Sequence, residues 1–383
     1  MSGAVAWQVC LFTSIAMAIY PLAIYPAIIK IISVLRPRRV RRAAHRPLVT
    51  ILVPAYNEVA HIGTTLDHLL AQDYPADRRQ ILVISDASDD GTDAVVRSYG
   101  AQGVELLRRP ERAGKAAGLN AGVRLARGEV IVFSDANARF SPSAVSSMVE
   151  NFADPEVGYV TGHLTLSAIG AGAAGGGAYI KYENWLRRLE TRAGSVIGVN
   201  GGVDAMRAQL YFDVPADQIT DFVLPLGVIR AGYRVVYDER ASSTEDANED
   251  SGTEFRMRVR VALRALRGLV YMRAVLDPLR YPLPALCIVS HKVLRYFTFV
   301  FLLLALLSNL VLAAGSAAFA ALLALQCACY LLGLIGISRR LPAALARITF
   351  LPSYFLASNA AFAVAAARFL RGDVVATWKP RSG

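Results

Sequence analysis

Residues Val130 to Phe140 read VIVFSDANARF. Four apolar residues lead into Ser134, and the run ends on Asp135, Ala136 and Asn137. A short apolar run bounded by turn residues fits a strand buried on both faces. In an open α/β sheet, ligands collect beyond the carboxyl ends of such strands. An acid at that position points to a site. A carboxylate that faces a phosphate needs a divalent cation between them, and oxygen ligands suit Mg2+ or Mn2+.

The pattern repeats on the amino-terminal side. LVTILVPAYNE (Leu48 to Glu58) reads as a strand and Thr64 to Gln72 as a short helix. QILVISDASDDGT (Gln80 to Thr92) is a second strand ending in acids, and TDAVVRSYG (Thr92 to Gly100) a second helix. VELLRRP (Val104 to Pro110) and GKAAGLNAGVRLA (Gly114 to Ala126) complete a third pair. Strict alternation implies a mainly parallel sheet with helices on both faces. Its strand ends carry Asn57 and Glu58, then Asp86, then Asp135. Any one of these acids could be a helix cap; three on one edge exceed what packing requires. Neither GxxxxGK[ST] nor GxGxxG follows a strand, which sets aside the P-loop and the dinucleotide fingerprint. Acids beside Lys115 fit a metal-bound nucleoside diphosphate.

Composition places this domain at a membrane. Of 383 residues, 54% are hydrophobic and 19% charged, where a soluble domain carries about 25% charged residues. Ala4 to Leu35 is nearly uncharged and longer than the ~20 residues a bilayer requires. No basic stretch precedes it and no clear cleavage site follows, so it reads as an uncleaved anchor. RPRRVRRAAHR (Arg36 to Arg46) comes directly after, and the positive-inside rule puts it and the domain that follows in the cytoplasm. The net charge of +11 favours anionic partners; a basic run abutting a span argues for lipid headgroups over nucleic acid. Two apolar stretches, Tyr296 to Ala314 and Ala318 to Ile337, read as spans. A third, Ile348 to Leu370, is interrupted by Pro352, Ser353, Ser358, Asn359 and Arg368. The basic tail after it favours an inside carboxyl terminus and a re-entrant or interfacial third segment. In FRMRVRVALRALRGLVYM, Arg260, Arg264 and Arg267 share one helical face while Val259, Leu263, Leu266 and Val270 share another, as in a helix lying on the membrane surface. Ile169 to Ala178, IGAGAAGGGA, reads as a flexible loop. The four cysteines form no CxxC pair and match no zinc spacing.

VTILVPAYNE, VISDASDDGT, RAGKAAGLNAG, FSDANARF, GVNGGVDAMR and QITDFVLPLGVIRAGYRVVYDERA follow one another in this order. The set resembles the family 2 glycosyltransferases, and within them the membrane-bound, cellulose-synthase-like and hyaluronan-synthase-like branch. The resemblance covers Pro47 to Val261. It implies an α/β GT-A (Rossmann-like) cytoplasmic domain with transmembrane helices, a UDP-sugar or similar donor, Mg2+ or Mn2+, and inversion at the anomeric carbon. Carried over by position, Pro54, Ala55, Tyr56, Glu58 and Asp86 would hold the nucleoside. Lys115 and Asn120 would approach the nucleotide and sugar, and Asp135 opens the metal motif with Asn137 as its second member. Asp221 matches the general base. Gly201 and Gly202 match the glycines that let the backbone approach the acceptor, and Glu245 with Arg260 falls in the gating segment near the diphosphate.

Two departures stand out. Asn137 replaces the second metal aspartate, a weaker ligand than carboxylate for a hard cation. In the QxxRW motif of polymerising members, Met257 stands for Gln and Val261 for Trp, while Arg260 is kept. The expected layout is an anchor at 1–35, a basic segment at 36–46, the transferase domain at 47–253, interfacial helices at 254–292 and a membrane region of two to three spans at 293–383. The expected product is a glycosylated lipid-linked or polysaccharide acceptor, made at a bacterial inner membrane. Two alternatives are a processive synthase, with partner subunits for export, and a silent nucleotide-sugar binder. Keeping Asp86, Asp135 and Asp221 together argues against the silent binder.

Overall fold

A computed structural model describes residues 2–167, 173–246, 251–337 and 341–374. The chain divides into two compact units. The sheet unit comprises Lys30–Glu249, Arg267–Pro284 and Val374–Gly383; the helical unit comprises Met1–Ile29, Asp250–Leu266 and Ala285–Asp373.

In the sheet unit the strands are β1 (Val49–Ala55), β2 (Arg79–Ser85), β3 (Val104–Arg108), β4 (Val130–Ser134), β5 (Arg139–Phe140), β6 (Val157–Ser167), β7 (Val203–Arg207) and β8 (Arg234–Asp246). They form one sheet in the order β3-β2-β1-β4-β7-β6-β8-β5. Strands β1 to β4 are parallel neighbours, as the alternating pattern requires. Beyond β4 the sheet is mixed: β7 runs antiparallel to both β4 and β6, while β6 and β8 are parallel. All seven residues of β1 and all five of β4 are buried, which is why these strands read as continuous apolar runs rather than alternating ones. The covering helices include α3 (Ile62–Leu70), α4 (Thr92–Ser98), α5 (Lys115–Val123), α6 (Ala144–Glu150), α7 (Ala173–Ala193) and α8 (Thr220–Arg230). The Ile169 to Ala178 stretch differs from its loop reading from Ala173 onward, where α7 begins; residues 168–172 lie outside the described residues. Its alanines and glycines carry no periodic signal, and the helix they join is declared only by the residues after them.

In the helical unit, α1 (Ser2–Ile19) continues through a π-turn, Tyr20–Ile24, into α2 (Tyr25–Leu35). Gly3–Leu35 is long and apolar enough to cross a membrane. So are Ala317–Gly336 and Ala344–Leu370, the helical stretches of α13 and α14 (Ala343–Leu370). The latter continues past Pro352 without a break. The neighbouring α12 (Thr298–Ala313) has only 16 residues. It reaches spanning length only together with Pro282–Tyr296, which contains α10 (Pro282–Ile288) and α11 (Leu294–Tyr296) and from which it bends by 57°. Leu11, Ala305 and Leu312 pack with Ile15, Phe319 and Leu322 in this unit's core.

Helix α9 (Ser251–Tyr271) is amphipathic, with Val259, Leu263 and Leu266 buried as the spacing requires. Val270 departs from the pattern at 52% exposure, and Leu269 is buried beside it. At 3.6 residues per turn a stripe that starts at Val259 reaches Leu269 and Val270 together, so spacing alone could not choose between them. Arg258 lies 4.1 Å over the Tyr354 ring and donates to Ser358 Oγ at 2.7 Å.

Candidate active site

The four parallel strands end on one edge of the sheet, and the candidate residues gather there. Asp135 follows β4 directly. Lys115 is the first residue of α5, after Gly114 at φ +90°, where a left-handed backbone favours glycine. That turn aims the Lys115 Nζ at Asp135 Oδ1, 2.7 Å away, and leaves it 3.8 Å from Asp221 Oδ1. Burial pulls the Lys115 ammonium down, but the carboxylates of Asp135, Asp221 and Glu245 outweigh it, and its pKa is raised. A lysine held charged between two acids is a fixed positive charge. Replacing it by methionine (Lys115→Met) should slow nucleotide release roughly 10²–10³-fold at saturating donor, the scale of losing one preorganised electrostatic group.

Asp221 sits in the first turn of α8, where the sequence allows a capping role. The cap residue is Ile219, and it makes no side-chain cap bond. The Asp221 carboxylate accepts from the Thr220 hydroxyl at 3.0 Å, and among the described residues it takes no bond from the helix N–H groups. It lies instead against Gly201, whose φ is +86°. A Cβ on Gly201 would collide with the Asp221 carboxylate, so both backbone angle and space require glycine. At Gly202 a Cβ would stand 2.5 Å from Glu245 Oε1 and 3.4 Å from Asp135 Oδ2. The paired glycines thus pack their backbone against three carboxylates on three different elements. Glu245 is buried on β8.

Could this site hold Mg2+ or Mn2+? Among the described residues, no three of His, Cys, Asp and Glu cluster as a metal site. Asp135 uses Oδ1 for Lys115 and has no hydrogen bond to Oδ2 among the described residues. Asn137, half-buried in the turn after β4, has no hydrogen bond to its amide among them. One carboxylate and one amide make a small oxygen set that leaves most positions to a ligand's phosphates, the arrangement suited to Mg2+. The residues fit. Asn137→Asp should strengthen Mn2+-dependent nucleotide binding in a calorimetric titration; a loss of binding with the fold intact would give Asn137 a different part.

The other expected positions fall in separate places. Pro54 and Ala55 close β1, and Ala55 O accepts from Asp86 N at 2.9 Å. The Arg112 guanidinium lies 3.8 Å over the Tyr56 ring, and its buried Nη2 meets no hydrogen-bond partner among the described residues. The Glu58 N–H donates to Thr92 Oγ1 at 2.8 Å. Asp86 is buried and accepts from Arg109, from Ala113 N and from Gly114 N at 3.1, 3.0 and 2.7 Å, so it shapes the loop that delivers Lys115. The Asn120 amide donates to Val214 O and accepts from Tyr211 and Val214 N, which anchors the chain ahead of α8. Asp217 is paired with Arg267 at 3.0 Å. Arg260 is half-buried in α9 and belongs to the helical unit. The residues that sequence reasoning missed are Arg112, Tyr211, Tyr159 and Asp204. Arg112 stood in a quoted motif, three residues before Lys115; the others carry no spacing that sets them apart.

Residues 50–196 match the family model described as glycosyl transferase family 2. The chain carries a family 2 glycosyltransferase domain. The chain is 29% identical over 223 residues to poly-beta-1,6-N-acetyl-D-glucosamine synthase of Staphylococcus aureus, a match covering 56% of this chain and 53% of that one. It is 27% identical over 140 residues to glycosyltransferase AglE of Haloferax volcanii, covering 36% and 41%. The chain thus spans about half the length of the curated synthases it matches. Among solved structures, the mannosyltransferase PcManGT of Pyrobaculum calidifontis, in complex with GDP-Man and Mn2+, superposes with a TM-score of 0.70 at 25% identity. That likeness covers 96% of this chain and 97% of the other.

Proposed function

We propose that the transferase moves a hexose from a nucleoside diphosphate sugar to a membrane-associated acceptor, with inversion, in one displacement. The observation that carries this reading is the Asp221 carboxylate, uncapped and laid on the Gly201–Gly202 turn with Lys115 at 3.8 Å. An acceptor hydroxyl brought over the turn gives its proton to Asp221 while its oxygen attacks the anomeric carbon. The bond from that carbon to the diphosphate breaks, and the nucleoside diphosphate leaves as an anion. Lys115 meets this anion with a preorganised charge. Asp135 and Asn137 would hold a Mg2+ or Mn2+ ion, which supplies Lewis-acid neutralisation of the diphosphate. Tyr56, with Arg112 stacked on it, supports a nucleoside subsite beside β1, and Asp86 orders the loop between the two. Glu245 would bound the acceptor side behind Gly202.

The whole-chain likeness to a protein solved with GDP-Man and Mn2+ makes GDP-mannose the first donor to test. The match to a poly-N-acetylglucosamine synthase makes UDP-N-acetylglucosamine the second. Three helices of spanning length and the basic run after the first support a cytoplasmic domain at the membrane and a lipid-linked or polysaccharide acceptor. Membranes containing the full chain, supplied with each labelled donor, should place label in a lipid extract or an insoluble polymer. Label in neither fraction with any donor, from a folded protein, would refute the reading. Transfer confined to the lipid fraction would favour single addition over processive synthesis, in line with Val261 in place of the polymerising motif's Trp.

A further inference from the structure

Behind the acceptor turn lies a carboxyl group that the mechanism does not use. Asp204, on β7, is fully buried. Its Oδ2 accepts from Gly201 N and from the Tyr159 hydroxyl, each at 2.9 Å. Among the described residues its Oδ1 has no hydrogen bond of regular geometry; Thr161, its cross-strand neighbour on β6, is the polar side chain opposite. The charged groups near it are few. Asp221 faces it from α8, and Tyr159 and Thr161 face it from β6. A fully buried carboxylate without a cation beside it is costly, and such groups neutralise instead.

We propose that Asp204 is the positioning residue of the candidate base, holding the Gly201 backbone against Asp221 as a hydrogen-bonded carboxylic acid rather than as a second anion. The acceptor hydroxyl then meets one carboxylate, on a turn that cannot drift. Burial, with the Asp221 charge adding to it, pushes the Asp204 carboxyl up to about 7 against the hydrogen bonds that lower it.

This inference deepens the proposed function, and one arm of its test is independent of turnover. A carboxyl whose pKa is higher in the folded than in the unfolded chain favours the fold at low pH, and that contribution is lost as pH rises toward the folded value. The melting temperature of Asp204→Asn, minus that of the parent, should therefore grow between pH 5 and about 7 and then level off. A difference constant from pH 5 to 8 would mean that Asp204 is ionised throughout, and the proposal would fail. The second arm reads transfer. Asp204→Leu loses the bonds to Gly201 and Tyr159, and transfer should fall about 10- to 10²-fold, the scale of a small misplacement, with GDP and UDP binding in Mn2+ unchanged. Asp204→Asn keeps an oxygen acceptor and should rescue most of that loss. Parental transfer by the leucine variant would overturn the positioning role. Should the leucine variant not fold, the asparagine melting series decides alone. Should the parent turn over no donor, the proposed function fails, while the melting series still decides the state of Asp204.

Discussion

Asp221→Asn should transfer sugar on the order of 10²–10⁴ times more slowly than the parent, the range lost with a general base. The asparagine side chain has nearly the same shape and can still accept from Thr220, but it cannot take a proton. Because Asp221 does not cap α8, the melting temperature should change little. Donor binding should persist, since the proposed nucleoside subsite at Tyr56 and Arg112 is left intact. Stopped-time assays at saturating donor, paired with calorimetric titration of GDP and UDP in Mn2+, separate these quantities. Near-parental transfer would move the base elsewhere. Asp217 is a poor substitute because Arg267 holds it, which leaves Glu245.

Asp135→Ala should have an effect of similar size through binding. It removes the carboxylate of the expected metal pair and one of the two acids that hold Lys115. A Lewis-acid contribution of several kcal/mol corresponds to roughly 10³-fold or more in rate at 1.4 kcal/mol per decade. Loss of transfer should be accompanied by loss of the thermal stabilisation that Mn2+ with GDP or UDP gives the parent, because a ligand that binds only the folded state raises its stability. Retained stabilisation with lost transfer would assign Asp135 to the sugar and place the ion elsewhere.

The first half of the domain was written plainly in the sequence, for a physical reason. Strands β1 and β4 are buried on both faces and connected through helices, so each appears as an apolar run that ends in a turn bearing an acid. The parallel core and the positions of Asp86, Asp135 and Lys115 follow from that pattern. The second half hid itself. Strand β7 begins just after two glycines and carries the buried Asp204 at its second position, so VDAMR shows neither alternation nor an apolar run. Its antiparallel direction follows from a pairing with Ile131 and Phe133 that no local signal announces. Gly201, Gly202 and Asp221 were found through the resemblance, not through spacing. Tyr159 and Asp204 escaped notice because a buried polar pair is visible only once β6 and β7 lie side by side. At Asn120 the motif pointed to a ligand contact, and spacing gave no sign that the amide also holds Val214.

The most direct test of metal-assisted sugar transfer is nucleotide release by the purified full chain in lipid, with GDP-mannose and UDP-N-acetylglucosamine offered separately. With one of these donors, GDP or UDP should appear in step with sugar on an acceptor, stop on addition of EDTA and resume with Mn2+. No release from either donor, or release that EDTA leaves unchanged, would contradict the account.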